Sequence, residues 1–379
     1  MSVARSGARF PRAPSYQLVV ITGACCIAPV ICWWVPRKKA HTYLGGKFAV
    51  KHKALIGTLA GAGIVTAALA LALGPLAPAA SAATAKTSGM TPHQMGIRGA
   101  KPKSATTTAP LAYGGGPVET TPGVYIIYWG SQWASGFSTG GYTSAQAQTY
   151  NQDFFGNVGG SSWDNTNTQY CQGVATGATS CTGATTGNTI TNPTGQLLGV
   201  WTDNSTLPNR ITQSGIAAEA VKSVTSGVFP FNPNATYFVY TPSGDSMRGF
   251  GTQWCAWHSS TSSGGNTYAY AYMPYIPDAG TSCGMNYVNS TNDSFGNGYF
   301  DGFSIVGGHE YAEAITDPHP SSGWTNSSGS EIGDLCAWNS NGGVSGNITL
   351  GSNYFAVQPL WSNATTTSTG SHCVMSYPN

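Results

Sequence analysis

The chain has 379 residues, with 16 Lys and Arg against 14 Asp and Glu, and only 8% of its residues are charged. The formal charge of +2 conceals an asymmetry, because nine of the basic residues precede residue 83 and all the acidic ones follow it. From residue 83 onward seven basic groups face fourteen acidic ones, a net of −7, which argues against nucleic acid as a partner.

Residues 47–82 open with KFAVKHK, continue as an apolar run from Ala54 and end in Ala80-Ser81-Ala82. This is the basic, apolar and A-x-A order of a secretory signal peptide, and it predicts a secreted product with no stable membrane insertion after cleavage. Residues 1–46 hold a second apolar run, 18–35, followed by Arg37, Lys38 and Lys39. A transmembrane helix would fit there, but the simpler reading is a misassigned upstream leader, with Val50 as the alternative initiator. Residues 83–110, rich in Thr, Ser, Ala, Pro and Lys, read as a flexible linker. The folded part is expected over 111–379, long enough for one domain with a substantial core.

Within that part, 123–129 (GVYIIYW) is a continuous β-branched and aromatic run, the mark of a buried central strand. A helix is expected over 144–155, a second strand over 196–202 (QLLGVWT), a helix over 215–225 (GIAAEAVKSVT) and a third strand over 235–241 (ATYFVYT). Residues 267–275 (TYAYAYMPY) alternate strictly and place Tyr268, Tyr270 and Tyr272 on one strand face. That stripe is either core packing or an aromatic, substrate-binding wall. The alternation of strands and helices predicts an α/β (α+β) domain, a mixed sheet flanked by helices.

Next comes a helix over 303–315 (FSIVGGHEYAEAI), apolar on most of its surface and stopped by Asp317-Pro318. One turn apart on it stand His309 and Glu313, with Glu310 beside them. This is the H-E-x-x spacing of zincins with Glu in place of the second His, so His309 and Glu313 are candidate zinc ligands and Glu310 the candidate general base. Glu331 and Asp334 are the first candidates for a further ligand; His258 and His319 are weaker ones. The paired Gly307 and Gly308 in mid-helix predict a close approach by backbone or ligand. Beyond Arg248 there is no Lys or Arg, while eight carboxylates follow (Asp278, Asp293, Asp301, Glu310, Glu313, Asp317, Glu331 and Asp334). Crowded carboxylates need a counter-charge, and a metal ion supplies one.

Six cysteines follow the leader, Cys171, Cys181, Cys255, Cys283, Cys336 and Cys373. An even number in an exported chain implies disulfides, and pairing of sequence neighbours is the simplest of fifteen arrangements.

The block Gly308-His309-Glu310, Ala312-Glu313, Thr316-Asp317-Pro318, Trp324 and Glu331-Ile332-Gly333-Asp334-Leu335-Cys336 resembles the signature of the EXORDIUM, or phosphate-induced protein 1, family and its bacterial secreted relatives. Cys255-Ala256-Trp257 and Tyr272-Met273-Pro274-Tyr275 are similar to further segments of that family, and the resemblance spans roughly residues 118–338. It implies an extracellular or cell-wall setting and supplies no catalytic residue.

The leading expectation is a secreted zinc metallopeptidase acting on extracellular peptide or protein. The alternative is a non-catalytic extracellular module that binds cell-wall polysaccharide or a partner, its acidic site holding structural calcium. A glycosidase using Glu310 and Glu331 as acid and base is a third possibility.

Overall fold

The computed structural model describes residues 90–99 and 109–378. The expected signal peptide and upstream leader lie outside the described residues. Six strands make one mixed sheet: β1 (His93–Gly96), β2 (Gly123–Trp129), β3 (Leu197–Asp203), β4 (Ala235–Tyr240), β5 (Trp254–Ser263) and β6 (Asn266–Met273). Their spatial order is β1-β5-β6-β4-β2-β3. β3, β2, β4 and β6 are joined in parallel, whereas β5 runs antiparallel to β6 and to β1.

Parallel neighbours need crossovers, and helices supply them. α1 (Ser144–Asn157) links β2 to β3, and α2 (Gln213–Thr225) links β3 to β4. α1 starts at a capping box, with Thr143 accepting from the Gln146 amide and the Gln146 side chain reaching back. α2 starts at Thr212, whose hydroxyl accepts from Gly215 N. α3 (Asp301–Thr316) is the helix expected over 303–315, and every one of its sixteen residues is buried.

Helices cover both faces, which is why all seven residues of β2 are buried. Val124, Ile126, Tyr128, Phe238, Tyr240, Ala271 and Met273 share a core with Phe154 and Phe155 of α1 and Phe303 and Val306 of α3. Tyr125, Ile127, Tyr237 and Val239 point the other way, onto Ile216, Ala217 and Ala220 of α2. Above α3 lies a hairpin of β7 (Gly346–Leu350) and β8 (Asn353–Val357).

The linker expectation fails over 90–99. Those residues belong to the fold, with β1 as the edge strand on β5 and Met95 fully buried. The three neighbouring cysteine pairs, Cys171–Cys181, Cys255–Cys283 and Cys336–Cys373, are at bonding distance, with Cα separations of 5.9, 5.4 and 5.5 Å. No helix among the described residues is long and apolar enough to cross a membrane.

Candidate metal centre

α3 has no solvent face, so each polar side chain on it must be answered from inside the protein. Asp301 at its start accepts from the amides of Val288, Asn289 and Gly298. At its end the Asp317 carboxylate accepts from Ser321, Ser322 and Gly323 N, which turns the chain sharply back. The mid-helix glycines meet side chains and not the expected backbone, since a Cβ on Gly308 would stand 3.2 Å from the Trp163 ring and one on Gly307 would make only ordinary contacts.

The return carries Glu331, Gly333 and Asp334 to the helix. Glu313 Oε1 accepts from Asp334 N at 2.9 Å. Gly333 is tight against the imidazole, since a Cβ there would stand 2.6 Å from His309 Nδ1. Just past β8, Gln358 donates from Nε2 to Gly333 O at 2.7 Å, which fixes its amide and leaves Oε1 as an acceptor 3.2 Å from His309 Nδ1. His309 therefore carries a proton on Nδ1 and turns Nε2 inward, 3.0 Å from Glu313 Oε1 and 4.0 Å from Asp334 Oδ1.

The sheet edge contributes two more imidazoles. His258 of β5 sits opposite His93 of β1, both turned toward α3, with ring centroids 5.8 Å apart. Between Met95 and Gly96 the register slips past Cys255, an extra residue on β5 that marks a bulge. His258 Nδ1 is 3.2 Å from Glu310 Oε2, and its Nε2 is 3.5 Å from Glu331 Oε2. His93 meets Glu331 Oε1 at 3.1 Å through Nδ1 and Asp334 Oδ2 at 2.6 Å through Nε2.

Three histidines and four carboxylates thus form one connected cluster around Glu313. Three overlapping triplets, His93–Glu313–Glu331, His258–Glu310–Glu313 and His309–Glu313–Asp334, each bring donor atoms within 4.8 Å of one another and share Glu313. His258 Nε2, His309 Nε2, Glu310 Oε1, Glu313 Oε2 and both Glu331 oxygens are buried with no hydrogen bond, although several lie at ion-pair distance from each other. Each such atom costs on the order of 1–3 kcal/mol unless something answers it. A cation bound among them answers several at once.

Electrostatics describe the same deficit. Burial pushes Glu310 and Glu331 up, Glu331 further because the charges of Glu313 and Asp317 add to it. Burial also acts on Glu313 and His309, but their mutual attraction outweighs it, holding Glu313 low and His309 protonated. One ion pair is stable inside the cluster, while burial works against the charged forms of Glu310 and Glu331, which a stronger counter-charge would favour.

His309, Glu310, Glu313, Glu331 and Asp334 are therefore brought together. Tyr268, Tyr270 and Tyr272 are not. All three are buried on the α2 side of the sheet, with Tyr272 packed on Trp257 and bonded to Thr241 and Met247, so the substrate-wall expectation is wrong. Ala271 alternates with them and faces α3. His319 stands apart in the turn after α3, where burial lowers its pKa. His258 is promoted from weak candidate to member of the cluster. His93 and Gln358 carry no signal in the sequence, the first lying in the expected linker and the second being of an ordinary residue type. No protein-family model, curated protein or solved structure matches the chain.

Proposed function

We propose that the chain is a secreted zinc-dependent hydrolase, a peptidase, with His309, His258 and Glu313 as ligands and Glu331 or Asp334 completing the set. The observation that carries this reading is the gathering around Glu313 of buried nitrogen and oxygen atoms that make no hydrogen bond. Imidazole nitrogens favour zinc over calcium, which takes oxygen ligands. Each imidazole is held by a second group, His309 by Gln358 and His258 by Glu310, as ligands usually are.

A bound ion would supply Lewis-acid polarisation of the scissile carbonyl. Glu310 would use Oε1, the oxygen not taken by His258, to accept a proton from the attacking water and pass it to the amide nitrogen as the C–N bond breaks. The surrounding burial excludes bulk water and strengthens each of these interactions. The signal-peptide pattern, the paired cysteines and the EXORDIUM-like motifs support an extracellular setting.

Full burial of His309, Glu310, Glu313 and Glu331 favours a second reading, a structural ion in a non-catalytic extracellular module that binds a partner or wall polysaccharide. Glu310→Gln separates the two. On the peptidase reading this variant keeps its zinc while hydrolysis of a fluorogenic peptide library falls about 100-fold or more. A variant as active as the wild type would overturn the assignment of Glu310.

A further inference from the structure

We infer that the edge of β5 covered by β1 is a docking site for an extended polypeptide and that residues 90–99 are its built-in occupant. The inference deepens the proposed function and rests on it for the fate of a docked peptide, while docking itself needs neither an ion nor turnover.

The first observation is how the body of the protein grips this segment. The Met90 carbonyl accepts from the Gln213 side chain at 2.6 Å and from Ser259 Oγ at 3.1 Å, and the Gly96 carbonyl accepts from Trp338 Nε1 at 2.7 Å. Arg98 N donates to Ser282 O at 2.8 Å. Side chains from α2, β5 and the segment after α3 thus reach for main-chain groups that any extended peptide carries. This is how a groove recognises a strand added to a sheet edge.

Side-chain recognition is confined to alternate positions, as strand geometry requires. His93 covers the cluster through Glu331 and Asp334, and Met95, two residues on, is fully buried in the core beside Ala256. Gln94 between them is only half-buried. The occupant that fits therefore has an apolar side chain two positions after the residue lying over the metal site.

The second observation is in the sequence around the segment. Residues 83–89 (ATAKTSG) and 100–108 (AKPKSATTT) contain no large apolar side chain, whereas Met90, Met95 and Ile97 fall within eight residues between them. An apolar island in polar, small-residue sequence is the pattern of a docking motif, and this one is docked on its own chain. Its position over the cluster also accounts for the burial that a substrate would have to relieve.

Two measurements on the full-length protein decide the matter. By hydrogen exchange on the wild type, the amides of residues 93–97 should exchange about 100-fold faster than those of β6, because the strand leaves without unfolding the sheet. By fluorescence anisotropy, a labelled peptide of residues 90–99 should bind the Met95→Asp protein at least about tenfold more tightly than the wild type, whose groove is filled. Equal protection of β1 and β6, or a folded Met95→Asp protein that binds no better than the wild type, would overturn the inference. If Met95→Asp does not fold, the exchange comparison decides alone. A peptide that binds but is never cleaved leaves the docking site standing and counts against the peptidase.

Discussion

Gly333 shows how narrowly the centre is built. Its missing Cβ lets the return segment press on His309 while its carbonyl fixes Gln358, which in turn sets the imidazole. Its backbone is ordinary for any residue, at φ −80°, so Gly333→Ala should fold and displace only the imidazole. Zinc affinity is expected to drop by about 10- to 100-fold, the usual cost of disturbing a group that orients a ligand, and competition with a chromogenic chelator measures it. Unchanged affinity would mean that His309 is not a ligand. Tyr272 makes the opposite case: removing its hydroxyl from Thr241 and Met247 should cost about 1 kcal/mol in a urea melt and leave hydrolysis per folded molecule unaltered. A selective loss of activity in Tyr272→Phe would restore the tyrosine face as a substrate wall.

At the scale of elements, the parts legible in the sequence were those with a single strong period. β2 is apolar along its whole length because both faces are covered, and α3 was readable because it is apolar nearly all round. β5 is not legible in the sequence, because after the apolar WCAW its continuation, HSST, is polar although buried. β1 is hidden by the small, polar composition of its flanks, against which Met90, Met95 and Ile97 are few. The tyrosine stripe had the correct period, but a period of two does not say which face meets which helix. Another buried carboxylate belongs to this scale. Glu119, whose amide donates to Ile315 O at the end of α3, accepts from Thr236 Oγ1 of β4 at 2.8 Å. Burial pushes its pKa up to about 8 from an ordinary 4.5, against the smaller pull of Thr236. With the folded pKa raised, its contribution to stability is fully present below about pH 4.5 and is lost as the pH rises toward 8. Glu119→Gln, neutral at every pH, should match the wild type near pH 4.5 and exceed it by up to a few kcal/mol at pH 8. Urea unfolding across that range checks it, and a constant difference at all pH values would refute it.

Across the whole molecule, the carboxylates beyond Arg248 find different answers. Asp293, Asp301 and Asp317 are satisfied by backbone amides, whereas Glu310, Glu313, Glu331 and Asp334 gather with three histidines. Counting charges along the sequence showed that a counter-charge was missing, yet the histidines that complete the site come from residues 93 and 258, which only the tertiary fold brings to residue 309. Cys255–Cys283 ties the start of β5 to the segment after β6, on the element that carries His258. Replacing both cysteines by serine should cost about 3–4 kcal/mol for a loop of 28 residues and loosen the edge that holds β1, read as a lower unfolding midpoint. The central claim is that this cluster holds a metal ion, and elemental analysis of the secreted protein, purified without chelator, tests it most directly. One zinc per chain is expected in the wild type, with loss in Glu313→Gln. A metal-free wild type that takes up no zinc on dialysis, with the Glu313→Gln protein as stable as the wild type, would contradict it.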